Sequence, residues 1–190
     1  QWSMDLNRWL KYLKTISPEE DNIQKVIAYL QERAEDLNYE LNNLVNDLGP
    51  PIVTHLGLVP ALQWLCQKVM TEELSLINLQ IQGLSSQNRF AEDIEITAYR
   101  FFEKGIRNSV RHSNSHFQTV SLVLNKNRLE LLVSDPGRGF DSSQIENWLL
   151  TGSHSGLAEL KERIESLNGE FQIISGRKVG TTLKATIPIT

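Results

Sequence analysis

The sequence predicts an α+β fold: a two-layer α/β sandwich, with a mixed sheet packed on helices, preceded by an antiparallel helical hairpin. Three observations predict it. An unbroken apolar repeat with a period near 3.5 runs from residue 23 to residue 48, segments of period-two alternation lie after residue 74, and stripes of helical spacing separate those segments. The predicted organisation is a hairpin over residues 1–50 and a globular domain over residues 51–190.

Composition bounds the class of protein. The 190 residues are 40% hydrophobic and 22% charged, which is typical of a soluble globular protein. A net charge of −4 argues against a nucleic-acid surface, and no apolar run approaches the roughly 20 residues of a membrane span. Cys66 is the single cysteine, so an internal disulfide is excluded and a reducing compartment fits. The chain begins at Gln1, and we interpret it as a fragment or processed form.

The hairpin is the clearest helical pattern. An a/d-like series of Trp and Leu fills residues 1–15, and Ser17-Pro18-Glu19-Glu20 supplies an N-cap, a proline at the first helical position and a capping-box glutamate. The next helix has an apolar seam that alternates steps of four and three. The seam residues are Ile23, Ile27, Leu30, Ala34, Leu37, Leu41, Leu44 and Leu48. Gly49-Pro50-Pro51 ends this helix.

One hairpin exposes more of this apolar seam than it can cover. Two hairpins related by a two-fold axis would form a four-helix bundle, so we predict a homodimer through residues 1–50. The alternative is that the seam packs against the chain's own globular domain.

The globular domain begins with a helix, followed by a strand. Helical spacing of Leu62, Leu65 and Val69 predicts a helix over residues 58–73. Alternation then predicts a strand over residues 74–83, and a second helical stripe predicts a helix over residues 91–113.

The second half of the domain contains four strands and one helix. Strands over residues 117–124 and 128–134 are joined by the turn Asn125-Lys126-Asn127. A helix over residues 157–167 ends at Asn168-Gly169, a C-cap signal. Strands over residues 171–175 and 182–187 follow, with turn glycines between them. Together these elements form the predicted sheet.

A carboxylate followed by two glycines marks the first candidate site. Asp135-Pro136-Gly137-Arg138-Gly139-Phe140 follows an apolar strand, and the D-x-G-x-G spacing lets the backbone approach a ligand that the acid contacts. The alternative is a tight turn without function, because Asp and Gly are common turn residues.

Two further patterns accompany it. Asn108 and His112 continue the apolar stripe of the helix over residues 91–113, which places polar groups on the face that begins apolar. The glycine-containing loop Gly152–Leu157 opens a helix, and free N–H groups there favour an anion. The alternatives are a helix end emerging into solvent, a core histidine and an ordinary helix start.

The order of these patterns resembles the ATP-binding domain of the histidine kinase, gyrase and chaperone ATPase superfamily. More narrowly, the chain resembles sensor histidine kinases that are paired with helix-turn-helix response regulators. The resemblance covers nearly the whole chain, and the residues that carry it are Leu48–Pro51, Leu56–Leu58, Ala61-Leu62, Tyr99-Arg100, Asn108–Ser113, Asp135–Phe140, Gly156-Leu157, Glu162–Ile164, Leu167–Gly169, Gly180-Thr181 and Ile187-Pro188.

The resemblance implies roles at the base of an ATP site. Asp135 would accept a hydrogen bond from the adenine amino group, and a carboxylate acceptor prefers adenine to guanine. Gly137 and Gly139 would let the main chain pass beside the base. Thr181 would join this network through its hydroxyl or a water molecule.

The resemblance also implies roles at the phosphates. Asn108 would coordinate Mg²⁺ that bridges the phosphates, and a neutral oxygen ligand suits this ion. Arg111 and His112 would lie near the phosphates or the ribose. Gly156 and Leu157, at the start of the following helix, would hold phosphate oxygens. A lid over residues 140–151 would cover the nucleotide.

The phosphoacceptor histidine of the resembled kinases is missing from the predicted bundle. The four histidines are His55, His112, His116 and His154, and all lie outside the hairpin. Truncation just before Gln1 explains the absence, with true loss of the acceptor as the alternative.

Three other positions depart from the family pattern. Lys104 stands where the family usually has a glutamate, and Glu103 beside it lies about 100° around the helix. An ammonium attracts phosphate but cannot accept a proton. The alternative is that Lys104 points to solvent and pairs with a nearby carboxylate. His154 replaces a lid glycine, and Gly49 replaces an arginine.

These implications give one leading function and two rivals. The leading function is the Mg²⁺- and ATP-dependent core of a cytoplasmic sensor histidine kinase, or of the cytoplasmic portion of a membrane-bound one. Its expected partners are a second copy of the chain and the receiver domain of a response regulator. We expect no direct nucleic-acid contact, and membrane contact only through parts outside this chain. The rivals are a non-catalytic dimeric interaction module and a serine kinase of the same superfamily.

Overall fold

The computed structural model describes residues 51–141 and 155–189, which belong to one compact unit spanning Gly49–Thr190. The predicted hairpin over residues 1–50 and most of the predicted lid lie outside the described residues, so both stay predictions. Among the helices of the described ranges, none has the length and apolarity needed to cross a bilayer.

Every strand and helix predicted within the described ranges is present, with ends that differ by at most two residues. The periodicity does not predict the first, six-residue helix, because it makes fewer than two turns. In chain order the elements are α1 (Pro51–Leu56), α2 (Leu58–Glu72), β1 (Leu76–Gln82), α3 (Glu92–His112), β2 (Phe117–Asn125), β3 (Arg128–Asp135), α4 (Ser155–Ser166), β4 (Glu170–Gly176) and β5 (Gly180–Pro188).

The five strands form one mixed sheet in the order β1-β2-β3-β5-β4. β1 pairs with β2 in parallel, and the other three pairings are antiparallel. Along β2 and β3, buried residues alternate with partly exposed ones, so one face of the sheet is covered by the helices. This confirms the predicted α+β two-layer sandwich.

β1 begins two residues later than predicted. Leu74 has a φ of 50°, a left-handed conformation that a strand cannot continue through, and its side chain is exposed. From Leu76 onward the predicted alternation holds, because every second residue is partly buried against the core and the others are exposed.

α3 is the long central helix, and it connects the core to the candidate site. Phe101, Phe102 and Ile106 on its middle turns are fully buried. Acidic side chains occupy its first turn, and Arg111 and His112 occupy its last turn, which is the favourable arrangement for the helix dipole. The apolar middle therefore fixes the helix on the sheet, while its carboxyl end is left polar.

α4 ends in the C-cap that the sequence predicts. Asn168 adopts the left-handed conformation with a φ of 56°. Its N–H donates to the carbonyl of Glu165, and the N–H of Gly169 donates to the carbonyl of Ile164, both at 2.9 Å. These two bonds define a Schellman motif in which Asn168, not Gly169, is the left-handed residue.

Cys66 packs inside the core on α2. Burial raises the pKa of its thiol to about 12, so the thiol stays protonated at neutral pH. It behaves as a small apolar side chain, in agreement with the absence of any function assigned to it from the sequence.

Candidate functional site

A cleft of about 950 Å³ opens between the carboxyl end of α3, the loop after β3, the start of α4 and the strands β4 and β5. Most residues that the sequence singles out come together on its wall. They are Asn108, Arg111, His112, Asp135, Gly139, Gly156, Leu157 and Thr181. Gly137 and Lys104 are absent from the described lining, and each has a different role.

Asp135 lies at the base of the cleft, where β3 ends. Its side chain is only 7% exposed, and its Oδ1 accepts a hydrogen bond from the N–H of Gly137 at 3.0 Å. Burial raises the pKa of this carboxyl above the usual aspartate value, although hydrogen bonds from the N–H of Gly137, the hydroxyl of Ser109 and the N–H of Thr181 oppose the shift. The carboxylate is thus a buried hydrogen-bond acceptor at the point where a ligand would enter deepest.

The two glycines of the D-x-G-x-G segment are required by the protein's own backbone. A Cβ on Gly137 would clash with the carbonyl oxygen of Ser113 at the end of α3. A Cβ on Gly139, which has a φ of 56°, would clash with the carbonyl oxygen of Gly176. The glycines let this loop pack closely between α3 and the turn that joins β4 to β5.

A network of hydroxyl and backbone groups joins that loop to β4 and β5. Ser175 Oγ accepts from the N–H of Phe140, lies within donating distance of the carbonyl of Gly180, and lies beside Thr181 Oγ1, each at 3.0 Å. Thr181 pairs with Asp135 across the two strands. Thr181 and Asp135 therefore stand side by side, as their predicted shared role requires.

The carboxyl end of α3 supplies the polar wall of the cleft. Asn108 is half-buried there, and Arg111 and His112 are exposed. Ser109, which the sequence does not single out, lines the same wall with its side chain 4% exposed. Its hydroxyl interacts with the carboxylate of Asp135 and lowers the pKa of that group, although no partner in the described residues meets strict hydrogen-bond geometry.

Basic side chains that the sequence does not single out surround the mouth. Arg138, Arg177 and Lys178 join Arg111 on the lining, against the acids Asp135 and Asp141. The wall is therefore more positive than the chain, whose net charge is −4, and it favours an anionic ligand. In the sequence, Arg138, Arg177 and Lys178 are indicated as site residues only by their position next to glycines of the site.

Lys104 lies one turn before Asn108 on α3, but its ammonium turns toward α4. Nζ lies 2.6 Å from Glu159 Oε2 and 3.2 Å from the carbonyl oxygen of Gly156. This is the carboxylate pairing that the sequence left open as an alternative to direct contact with phosphate.

The comparison with protein families decides the family. The model of the histidine kinase-, DNA gyrase B-, and HSP90-like ATPases matches residues 93–190, just over half of the chain. The chain belongs to this family. The matched region contains all the site residues described above.

Curated relatives extend the similarity toward the amino terminus. The chain is 29% identical to the signal transduction histidine-protein kinase/phosphatase DegS of Brevibacillus brevis over 171 residues, 90% of this chain and 42% of that protein. It is 28% identical to the oxygen sensor histidine kinase NreB of Staphylococcus carnosus, over 96% of this chain and 50% of that protein. The chain thus spans half or less of these two relatives, and it carries the ATP-binding catalytic core of the histidine kinase type.

A solved structure supports the fold. The histidine kinase domain of the blue-light activated histidine kinase from Erythrobacter litoralis EL346 superposes with a TM-score of 0.53 at 17% identity, covering 67% of this chain and 59% of that chain. At this identity the likeness concerns the fold alone.

Proposed function

We propose that the cleft binds Mg·ATP and that the chain is the catalytic core of a two-component sensor histidine kinase. In this proposal the γ-phosphoryl group passes to a histidine outside this chain, and then to an aspartate on a response regulator. The observation that carries the proposal is Asp135: a buried carboxylate at the base of a large, positively lined cleft.

Asp135 suits the recognition of adenine. A carboxylate accepts hydrogen bonds, and the exocyclic amino group of adenine donates them, whereas guanine presents an oxygen at that position. The N–H of Gly137 donates to Oδ1 of Asp135, and Thr181 is the residue that pairs with Asp135 on the neighbouring strand β5. Guanine would instead present its O6 acceptor to the carboxylate of Asp135, so the site favours ATP over GTP.

The size of the cleft and the opposite wall suit a triphosphate. About 950 Å³ is at the upper end of the range for small-molecule and cofactor sites. Arg111 and the start of α4 at Gly156 and Leu157 would contact the phosphates, since free N–H groups at a helix start attract anions.

Mg²⁺ fits this wall as a companion of the nucleotide. The described residues contain no group of three or more His, Cys, Asp or Glu side chains placed to hold a metal. Asn108 offers one neutral oxygen at the cleft, which suits an ion that keeps its waters and binds mainly to phosphates. When bound there, Mg²⁺ would neutralise phosphate charge.

The other parts of the proposal come from the resemblance and the relatives. Homodimerisation through residues 1–50 and docking of a receiver domain fit kinases of the kind named among those relatives. None of the four histidines, His55, His112, His116 and His154, lies in the predicted bundle of residues 1–50, so we place the phosphoacceptor outside this chain.

One observation favours a second function, a non-catalytic dimeric module that binds nucleotide and regulates a partner. Position 104, usually a glutamate in the resembled kinases, is a lysine whose ammonium is paired with Glu159. A protonated lysine cannot accept a proton. The two functions share nucleotide binding and differ in turnover.

Titration of a fluorescent ATP analogue, with and without Mg²⁺, tests the proposal. We expect micromolar to millimolar affinity that increases with Mg²⁺, and loss of binding in Asp135→Asn. Asn108→Asp should also abolish binding, because a carboxylate would then face the phosphates. A matched control is Asp93→Asn, which removes an exposed carboxylate at the start of α3, far along the helix from Asn108. No binding by the unmodified chain at millimolar nucleotide would contradict the proposal.

Turnover separates the two functions. The chain should be joined to an upstream helix that carries a phosphoacceptor histidine and incubated with labelled ATP. An acid-labile phosphate on that histidine supports the kinase, and nucleotide binding without any label supports the non-catalytic module.

A further inference from the structure

Lys104 forms a direct link between α3 and the first turns of α4. Its ammonium reaches both Glu159 and the carbonyl oxygen of Gly156. The two charged side chains are 22% and 38% exposed, so solvent screens this pair less than a fully exposed one. A Cβ placed on Gly156 would find Lys104 atoms as its nearest neighbours, at 4.0 Å, which shows that the lysine lies over this turn.

Glu159 is committed to this link. Its Oε2 accepts a hydrogen bond from Lys104 Nζ, while its Oε1 lies 3.3 Å from Nε of Arg163, one turn further along α4. Burial alone would raise the pKa of Glu159, but Lys104 and Arg163 together lower it below the usual glutamate value. The carboxylate therefore stays ionised at neutral pH and holds the ammonium away from the cleft.

The neighbours of this link lie on the cleft wall, although the link itself does not. Gly105 and Asn108 on α3, and Gly156 and Leu157 on α4, line the cleft. Lys104 and Glu159 are absent from the described lining. The ion pair thus fixes the spacing between two walls of the site without occupying it.

We propose that Lys104 is a positioning residue, which holds the start of α4 through Glu159 and the Gly156 carbonyl so that this turn can receive the phosphates. The inference rests on the proposed function, because it assigns the start of α4 to the phosphate end of a nucleotide. It excludes the direct contact between Lys104 and phosphate that the residue type alone suggests. A glutamate at position 104 would instead face Glu159 and repel it.

The two mechanisms predict opposite effects of one substitution. Under the positioning mechanism, Glu159→Met removes the ion pair from the link and weakens ATP binding. Under direct contact, the same substitution releases the ammonium toward the phosphates and tightens ATP binding. Lys104→Met weakens binding under both mechanisms, so the sign of the Glu159→Met effect decides.

The experiment measures the affinity of an ATP analogue and of adenosine for the unmodified chain, K104M, E159M and the double variant. We expect about a fivefold loss of ATP affinity in K104M and a smaller loss in E159M, which keeps the contact of Lys104 with the Gly156 carbonyl. The double variant should lose no more than K104M, because Glu159 acts through Lys104. Adenosine lacks phosphates, so its affinity should stay constant. Lys104→Arg, which keeps the charge, should retain most of the ATP affinity.

The control pair is Lys161 and Glu165, which lie 3.8 Å apart within α4. K161M and E165M each remove one charge, of opposite sign, from α4, and they should leave both affinities unchanged. Thermal unfolding of every variant reports whether the fold is retained.

Tighter ATP binding by E159M, additive losses in the double variant, or unchanged ATP affinity would each overturn the inference. A parallel loss of adenosine affinity would also overturn it, because the effect would then be general to the fold. If the unmodified chain binds the ATP analogue and adenosine but the variants show no selective loss of ATP affinity, the inference fails and the proposed function stands. If the unmodified chain binds no nucleotide, the proposed function fails with it.

Discussion

The carboxyl group of Asp135 is buried at the base of the cleft, where its charge disfavours folding. The pKa of this group is raised above that of an ordinary aspartate by burial. For an acid this means that the folded chain holds the proton more tightly than the unfolded chain does. The stability contribution of Asp135 therefore decreases as the pH rises through the folded pKa. A buried charge kept against this penalty is typical of a functional site.

Asp135→Asn should accordingly separate stability from binding. The amide keeps an oxygen for the N–H of Gly137 but has no charge to bury. We expect an unfolding temperature equal to or above that of the unmodified chain at pH 8, and loss of ATP-analogue binding. The difference in unfolding temperature should be smaller at pH 3, below the ordinary aspartate pKa, because the carboxyl group is then protonated in the folded and the unfolded chain alike. Thermal unfolding at both pH values measures this, with Glu170→Gln, which removes an exposed carboxylate at the start of β4, as the control. A clear loss of stability at pH 8 would show that the charge itself holds the fold together.

Local sequence predicts the position of Asp135 at the end of a strand, but it does not predict which residue Lys104 contacts. The difference has a physical reason. The carboxylate of Asp135 follows a strand directly and precedes two glycines, so local sequence places it at a strand end. The partner of Lys104 is Glu159, 55 residues later, and helical spacing within α3 gives no information about that contact. Ser109 is missed for the same reason, because its burial depends on what packs across the helix.

At the scale of the elements, the site is assembled by backbone contacts between segments far apart in the chain. The N–H of Arg138 donates to the carbonyl of Ser113 at the end of α3, and the N–H of Lys178 donates to the carbonyl of Arg138. Ser175 adds the bond from Phe140. The loop after β3 is therefore held on both sides, by α3 and by the turn between β4 and β5.

Ser175→Ala should loosen this assembly. It leaves the N–H of Phe140 without that hydroxyl acceptor and removes the group beside Thr181. We expect a loss of about 1 kcal/mol in the free energy of unfolding, together with weaker ATP-analogue binding. Urea denaturation and titration check the two effects. Ser166→Ala is the matched control, since within the described residues that exposed hydroxyl donates to the carbonyl of Arg163 in the same helix and to nothing across the sheet. Equal effects of the two substitutions would contradict the assembly role.

A second long-range contact joins α1 to α3. Glu95 is 1% exposed and accepts from both Nε and Nη2 of Arg89, while Nη2 also donates to the carbonyl of Thr54. In the sequence, Glu95 reads as an acid in the first turn of a helix. Its burial, like the existence of α1, depends on packing between elements and has no local signal.

For the whole molecule, local periodicity predicts the elements and the sandwich, whereas the strand order is a property of the complete chain. Alternation of apolar and polar residues identifies β3 and β5 separately, but the sequence of neither strand indicates that β5 lies between β3 and β4 in the sheet. The site follows the same rule: the glycine and acid positions are predicted, and the basic rim of Arg138, Arg177 and Lys178 becomes visible only when the turn folds against the loop.

The oligomeric state depends on residues outside the described ranges and stays a prediction from the heptad seam. Leu37→Glu or Leu41→Glu places an unpaired carboxylate in the apolar interface of the predicted four-helix bundle, at a cost of several kcal/mol. The molecular mass measured by light scattering should fall from twice the chain mass of 21.7 kDa to that of a single chain. Asn43→Glu adds the same charge on the opposite face and should leave a dimer. A monomeric unmodified chain at tens of micromolar would favour the alternative in which the seam packs on the chain's own globular domain, and Leu37→Glu would then lower the unfolding temperature without any change in mass.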